Sequence, residues 1–261
     1  GDRNSEEDFI RESMKSNVDP TFLFKDNSPT IVKRRWVESH LLQKLFEVYE
    51  MNDEELTEEQ DQELCVQLEK VLSRYDMVIA LDYGHGMLAP EAVELICSQA
   101  RFLAINTQMN AGNRGFNTVS KYRRADFICV SEAEIRLEAR SRRRDLREIV
   151  TEVSEKLSCD RVLITYGDKG CLCYDRNEGF FMVPAFATKV VDRVGAGDWV
   201  FSVAALCVAQ GAPLETVGLI GNAVGAEAVA TVGHRRSIQR IERHPKQTIF
   251  VERSVLERIG P

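Results

Sequence analysis

The segment best suited to chemistry is VVDRVGAGDWV, at residues 190–200. Gly195 and Gly197 let a ligand approach the backbone closely, and the N–H groups at the start of a helix attract negative charge. Asp198 would lie in the first turn of a helix that begins here, a position that favours a carboxylate even without a function. Alone, the segment fits either an ordinary helix start or a site that holds an anion beside a basic carboxylate.

Phosphoryl transfer is a reaction that uses this combination. It needs an anion hole for the moving phosphoryl group and a base directed at the attacking hydroxyl. The GAGD stretch could supply both within four residues. Backbone amides at Gly195, Ala196 and Gly197 would form the hole, and Asp198 would be the base.

Composition limits the classes of partner. The chain of 261 residues has a net charge of −7, whereas nucleic-acid binding usually needs a basic surplus. No apolar run approaches the ~18 residues of a membrane span, and the polar, acidic first ten residues do not resemble a signal peptide. We therefore expect no nucleic-acid or membrane partner and a cytoplasmic location.

Cysteine and arginine usage adds two expectations. Seven cysteines without a paired CxxC site indicate reduced core thiols, and Cys171 and Cys173 would share one face of a strand. Acidic residues at helical spacing follow a cluster of arginines, which favours a solvated helix face over a patch for a partner. That cluster comprises Arg136, Arg140, Arg142, Arg143, Arg144 and Arg147.

The elements that must position the GAGD stretch form an α/β pattern. Short apolar strands are predicted at 77–81, 102–106, 127–130 and 162–165, with helices from Pro90 and over 145–157. Such alternation predicts a mostly parallel sheet covered by helices on both faces. Ligands bind beyond the carboxyl ends of such strands, and these ends carry Asp82, Asn106, Ser131 and Thr165.

The other predicted elements lie at both ends of this pattern. Four elements precede it: a helix over 5–18 capped by Ser5, strands over 30–38 and 44–50, and a helix over 57–75. A hairpin over 171–174 and 180–183 and helices over 196–210 and 214–232 follow it. Polar residues after the second sheet strand could recognise a hydroxylated ligand, although an ordinary polar loop is favoured; they are Asn106, Gln108, Asn110, Asn113 and Asn117.

The 190–200 segment resembles the DTxGAGD signature of ribokinase-type (PfkB) carbohydrate kinases. Residues 131–134 stand where that family has NxxE, and residues 165–170 resemble its TxGxxG stretch. Asn222 and Gly233 resemble the late asparagine and glycine near the adenine. The likeness extends over residues 1–240 and implies a ribokinase-like three-layer α/β fold.

The resemblance implies ATP and Mg²⁺ as cofactors and a sugar hydroxyl as acceptor. Glu134 would organise Mg²⁺ and its water, and Asp198 would be the catalytic base. Nucleotide contacts would come from Ser131, Thr165, Gly167, Lys169, Gly170 and Asn222, and substrate contacts from Lys33, Asp82, Asn106 and Asp192. We also expect a homo-oligomer.

Within the family, the sequence is most similar to heptose 7-phosphate kinases, which are often joined to a nucleotidylyltransferase domain. This likeness rests on residues 29–33, 43–50 and 82–86, and it implies that residues 28–50 form part of a lid over the substrate. The family's early sugar-binding strands have no counterpart. We therefore expect residues 1–261 to be a single kinase domain that lacks those strands.

Departures from the family pattern keep a second hypothesis open. Arg193 replaces the Thr of the signature, Trp199 follows the catalytic Asp, Ser131 replaces an Asn, and Asn106–Gln108 replaces Asp-Pro-Lys. These changes leave the exact sugar undefined. They also allow a non-catalytic module that binds a nucleotide for regulation or assembly.

Overall fold

The computed structural model describes residues 1–3, 5–38, 44–110, 112–113 and 115–230. Its strands are β1 (Val32–Val37), β2 (Lys44–Glu50), β3 (Val78–Asp82), β4 (Leu103–Thr107), β5 (Phe127–Ser131), β6 (Arg161–Thr165), β7 (Cys171–Asp175) and β8 (Gly179–Val183). Its helices are α1 (Glu7–Ser13), α2 (Glu58–Val71), α3 (Pro90–Gln99), α4 (Glu132–Glu138), α5 (Leu146–Lys156), α6 (Ala196–Ala209) and α7 (Leu214–Ala230).

Six of the strands form one sheet in the order β3-β4-β5-β6-β7-β8. The pairs from β3 to β6 are parallel, and β7 and β8 pair antiparallel to their neighbours. Every residue of β4 is buried, as expected for a strand with both faces covered. The predicted mostly parallel sheet and the predicted hairpin are confirmed.

Helices cover both faces of this sheet. Ile128 and Val130 of β5 join one apolar cluster with side chains of α3, α4 and α5. Phe127 and Cys129, which point to the opposite face, join a second cluster with side chains of α6 and α7. The apolar residues of one strand thus serve two layers, and the three-layer ribokinase-like architecture is confirmed.

Side-chain caps fix the starts of three helices. Thr57 and Gln60 form a capping box at α2, and Asp145 caps α5. Ser131 and Glu134 form a second box at α4, a helix of seven residues that the apolar periodicity did not predict because it is so short. The box holds Ser131 and Glu134 at the carboxyl end of β5.

The first helix is shorter than predicted, and Ser5 does not cap it. α1 runs from Glu7 to Ser13, and Glu6 stands at its N-cap in a left-handed conformation. The Ser5 hydroxyl instead accepts a hydrogen bond from the amide of Thr30 at 3.0 Å. A serine before a helix usually accepts a hydrogen bond from an amide of the first turn. Here a hydrogen bond from a distant segment replaces that capping bond. Ser5 therefore ties the N-terminal segment to the start of the hairpin.

The strands β1 and β2 form a separate antiparallel hairpin with two different faces. Trp36 and Phe46 stack on one face with ring centroids 4.6 Å apart, and they are 43% and 52% exposed. Lys33 and Tyr49 pair on the other face. One face of the hairpin is thus apolar and open, and the other carries polar groups.

Two further expectations concern thiols and membranes. All seven cysteines are free thiols, and the Sγ atoms of Cys171 and Cys173 lie 3.8 Å apart in the core, as their spacing predicted. None of the helices in the described part of the chain is both long and apolar enough to cross a membrane. The predicted end of the last helix and Gly233 lie outside the described residues.

We predict that Gly218→Ala destabilises the fold where α7 packs against the hairpin of β7 and β8. A Cβ there would lie 2.7 Å from Sγ of Cys173 and 2.9 Å from Cγ2 of Val183, and overpacking of this kind costs about 1–3 kcal/mol. Gly221→Ala on the same helix is the comparison, since its Cβ would lie 3.3 Å from Val200, a milder contact. Urea unfolding should show the larger loss for Gly218→Ala; equal stability of both variants would contradict the close packing.

Candidate active site

The GAGD stretch forms a turn that starts α6, as predicted. Gly195 is the N-cap residue with φ of 77°, a conformation that glycine adopts without strain. The carboxylate of Asp192 accepts a hydrogen bond from the amide of Val194 at 2.9 Å. The amides of Val191 and Asp192 both donate to the carbonyl of Val229. The loop is therefore fastened to α7, and the helix start has a fixed direction.

Asp198 lies in the first turn of α6 and meets side chains from the sheet. Its Oδ1 accepts a hydrogen bond of 2.6 Å from Nε2 of Gln108, which follows β4. Its Oδ2 lies 3.5 Å from the hydroxyl of Tyr83, which follows β3. The hydroxyl of Ser202 donates to the main-chain carbonyl of Asp198 at 2.6 Å. Asp198 thus stands where α6 meets the carboxyl ends of the parallel strands.

The polar face of the β1–β2 hairpin reaches the same place. Nζ of Lys33 lies 5.0 Å from the ring centroid of Tyr49 and 5.5 Å from that of Tyr83. Partial burial lowers the pKa of Lys33, while the charge of Asp198 acts in the opposite direction. Burial and the charge of Asp198 raise the pKa of Tyr83 to about 12. Lys33 and Asp198 therefore influence each other electrostatically across Tyr83.

A cavity of 410 Å³ adjoins the start of α6. Six of the residues predicted for the nucleotide and the anion hole line it: Thr165, Gly167, Gly170, Ala196, Gly197 and Asn222. Lys169 is not among the lining residues; its Nζ lies 4.5 Å from the ring centroid of Tyr166. Arg193 also lines the cavity and places a cation beside the glycine turn. The cavity combines an apolar portion with polar groups at one end, the usual composition of a small-molecule site.

A smaller cavity of 200 Å³ lies beside the first one and shares Thr165 and Gly197 with it. Asn106, Gln108, Ser131 and Glu134 complete its polar lining. Nδ2 of Asn106 donates to the carbonyl of Cys129 at 2.6 Å, and its buried Oδ1 has no hydrogen-bond partner among the described residues. A buried acceptor without a partner is costly, which makes this cavity a suitable place for a ligand with donors or for a cation.

Glu134 is held from both sides. Its Oε2 accepts hydrogen bonds from the amide and hydroxyl of Ser131 at 2.7 and 2.8 Å. Its Oε1 accepts one from the amide of Met109 at 3.1 Å. No group of three acidic, histidine or cysteine side chains in the described residues could hold a metal ion. The donor set nevertheless fits Mg²⁺, which keeps several waters and needs only one or two protein carboxylates.

Asp82 has a structural environment, which differs from the expected substrate contact. It is 4% exposed, and its Oδ2 lies 2.6 Å from Nζ of Lys121 and 3.0 Å from the hydroxyl of Tyr122. Its Oδ1 accepts from the amide of Gly84 at 3.0 Å. Both oxygens of the carboxylate thus accept from donors of the protein itself. Asp82 therefore anchors the turn that presents Tyr83.

The polar residues after β4 divide into two groups. Asn110 and Asn113 donate to the carbonyl of Tyr83, and Asn117 donates to that of Asp82. These asparagines brace the loop, as the favoured interpretation predicted. Gln108 does not fit that interpretation, because its side-chain amide binds Asp198 and does not brace the loop.

Three residues at the site were not assigned to it from the sequence. They are Tyr83, Gln108 and Arg193, at the ends of β3 and β4 and before α6. The rule that ligands meet the carboxyl ends of parallel strands points to the first two. Of the residues assigned to the substrate, the structure brings Lys33 and Asn106 near the start of α6, whereas Asp192 supports the loop before it.

The fold and the arrangement around α6 are those of an α/β kinase for small molecules. The model of the pfkB family carbohydrate kinases matches residues 1–241, and the chain belongs to this family. The family resemblance found in the sequence is therefore confirmed.

Similar proteins agree with the family. The chain is 28% identical over 266 residues to the bifunctional protein HldE of Pseudomonas aeruginosa (strain UCBPP-PA14), which covers 97% of this chain and 54% of that protein. It is 30% identical over 197 residues to the bifunctional protein HldE of Desulfatibacillum aliphaticivorans, covering 73% and 39%. The chain spans about half the length of the curated relatives it matches first.

Solved structures support the fold. Ribokinase from Thermotoga maritima superimposes with a TM-score of 0.61 and 21% identity, covering 79% of this chain and 65% of that one. Phosphofructokinase-2 from Escherichia coli in complex with potassium gives a TM-score of 0.60 and 18% identity, covering 73% and 62%.

We predict that Gln108→Leu lowers kcat about 10-fold or more while the KM for nucleotide changes little. The variant removes a donor to a carboxylate, and such a bond contributes about 1.5–3 kcal/mol. Gln99→Leu, at the exposed end of α3, is the matched control and should keep full activity. Steady-state kinetics on the full-length protein measure both kcat and KM. A normal kcat in Gln108→Leu would show that Gln108 does not position Asp198.

Proposed function

We propose that this chain is the kinase domain of an enzyme that transfers the γ-phosphoryl group of ATP to a hydroxyl of a sugar or sugar phosphate. One observation carries the proposal. Asp198 lies at the start of α6 between the glycine turn and the donor of Gln108, next to a cavity large enough for a nucleotide. A base, an anion hole and a ligand site therefore adjoin one another.

In the proposed reaction, Asp198 accepts the proton of the attacking hydroxyl. The first N–H groups of a helix have no intrahelical acceptor, so those at Gly195, Ala196 and Gly197 are assigned to stabilise the charge on the moving phosphoryl group. The amide of Ala196 also makes a long bond of 3.4 Å to the carbonyl of Arg193. Gln108 holds one carboxylate oxygen so that the other can face the hydroxyl. Catalysis then depends on positioning and electrostatic stabilisation, as phosphoryl transfer generally does.

The nucleotide is assigned to the 410 Å³ cavity. Its apolar lining near α7 suits a base, and Thr165, Asn222 and Arg193 provide polar contacts. The ribokinase of Arabidopsis thaliana, whose TM-score with this chain is 0.57, was solved with ribose and ATP, which supports ATP as the donor. The shared lining at Gly197 would let the phosphates reach the smaller cavity.

Mg²⁺ is assigned to the smaller cavity, which is lined by Glu134 and by Asn106 with its unpartnered Oδ1. When bound there, the ion would supply positive charge that neutralises and orients the phosphates. Since Ser131 and Met109 already bind the carboxylate of Glu134, we place Glu134 against the water shell of the ion.

The acceptor is assigned to the space between the β1–β2 hairpin and Asp198, with Lys33 as its cation. A heptose phosphate is the proposed acceptor, on the strength of the subgroup resemblance at residues 29–33 and 82–86. The relatives are named bifunctional and are about twice as long as this chain, which supports a fusion with a second domain; the subgroup resemblance implies that this is a nucleotidylyltransferase domain. The exposed apolar face at Trp36, Phe46 and Val48 supports a homo-oligomer.

A non-catalytic nucleotide-binding module is the second candidate. Arg193, which replaces the Thr of the signature, lines the nucleotide cavity and would bind phosphate without aiding proton transfer. The bond from Gln108 to Asp198 favours the enzyme, because a module that only binds nucleotide has no need to orient this carboxylate.

We predict that Asp198→Asn lowers kcat by about 10²–10⁴, the range typical of a general base, with little change in nucleotide affinity. Glu215→Gln, which removes a carboxylate from the first turn of α7, is the control and should keep normal turnover. A coupled assay with ATP and a panel of sugar phosphates on the full-length protein measures both. Nucleotide binding by the unaltered protein without turnover of any sugar would select the non-catalytic module.

We predict that Glu134→Gln raises the Mg²⁺ concentration needed for half-maximal activity. The glutamine can still close the capping box at α4, so the fold should be retained while the charge is lost. Glu132→Gln on the same helix is the control, because its carboxylate pairs with Arg136. An unchanged Mg²⁺ dependence in Glu134→Gln would remove Glu134 from the metal site.

A further inference from the structure

A third cavity, of 610 Å³, is lined by none of the residues assigned to ATP or sugar. It is lined by α4, by the turn after α4, and by Met109, Gly115 and Phe116. Its volume lies within the range of sites for small molecules. We call it the arginine cavity, because Arg136, Arg140 and Arg142 line it.

The charge of the arginine cavity is opposite to that of the chain. The chain carries −7, yet no acidic side chain is among the cavity's described lining residues. Arg140 and Arg142 make no ion pair with the described residues, whereas the neighbouring Arg144 pairs with Glu152 at 2.6 Å. Arg136 likewise pairs with Glu132 at 2.8 Å. Arg136 and Arg144 therefore behave as the solvated helix face that the sequence favoured, whereas Arg140 and Arg142 do not. Arginine presents a fork of donors that matches phosphate oxygens.

The lining also has apolar residues. They are Met109, Phe116 and Leu137, and Phe116 is 90% exposed. An aromatic ring left open beside arginines suits a ligand that has a flat ring as well as a phosphate. A free inorganic anion would leave these apolar residues without a contact.

The same elements carry groups of the active site. The amide of Met109 binds Glu134, and the side chain of Ala133, next to Glu134, faces the arginine cavity. Gly115 packs tightly against Leu137, since a Cβ there would lie 3.1 Å from its methyl groups. A ligand in the arginine cavity would therefore restrain the loop that begins at Gln108.

We propose that the arginine cavity binds a nucleotide-like phosphate ester at a site separate from the ATP cavity. Arg140 and Arg142 hold its phosphate, and Phe116 stacks on its ring. Binding restrains the described residues of this loop, 108–110, 112–113 and 115–117, and so tunes the placement of Gln108 and Glu134. The binding step is independent of the proposed kinase reaction and is measurable without turnover.

The test uses calorimetric titration of AMP into the full-length protein. We expect two binding events per chain in the unaltered protein, one in the ATP cavity and one in the arginine cavity. Arg140→Glu combined with Arg142→Glu should weaken one event at least 10-fold and leave the other. Arg143→Glu is the matched control, because this exposed neighbour does not line the cavity, and it should retain both events.

Hydrogen exchange supplies the second readout. AMP should slow exchange of the 108–117 amides more in the unaltered protein and in Arg143→Glu than in the double variant. Identical isotherms for the unaltered protein and the double variant would overturn the proposal. Binding of a polyglutamate peptide in place of AMP, abolished by the double variant, would also overturn it and assign the cavity to an acidic protein partner.

Discussion

The hydrogen bond between Gln108 and Asp198 joins the two parts of the molecule on which the site depends. It connects the end of β4 to the first turn of α6 at 2.6 Å, across the junction between the parallel sheet and the late helices. A charged acceptor makes such a bond stronger than one between neutral groups. Because the loop before α6 is fastened to α7 through Val229, this bond fixes the carboxylate relative to the whole sheet.

A different carboxylate, that of the buried Asp82, supports this arrangement. Asp82 receives Lys121, Tyr122 and the amide of Gly84, and burial of a charge is tolerated only with such partners. Burial and the nearby Asp82 raise the pKa of Tyr122, so this phenol remains a donor. The turn after β3 is thereby held in place, and it presents Tyr83 to Asp198.

Local patterns in the sequence predicted most of the fold. Buried apolar runs identified β3 to β6, and glycine and proline marked the ends of α6 and the start of α3, because these signals depend on neighbouring residues alone. The sequence also located Asp198 and the glycine turn. It could not show that Gln108 reaches Asp198 or that Ser5 binds Thr30, since such contacts depend on how distant segments pack. For the same reason it could not show that Lys121 and Tyr122 surround Asp82.

The register in which β1 pairs with β2 decides which side chains face the site and which face outward. Side chains alternate between the faces of a strand, so a slip of one residue exchanges the faces. Such a slip would turn Lys33 outward and bring the stacked Trp36 and Phe46 over the polar site. The irregularity between Trp36 and Val37 resembles the bulges that fix register in paired strands. The position of Lys33 beside Tyr83 and the outer apolar surface therefore depend on the same register of backbone hydrogen bonds.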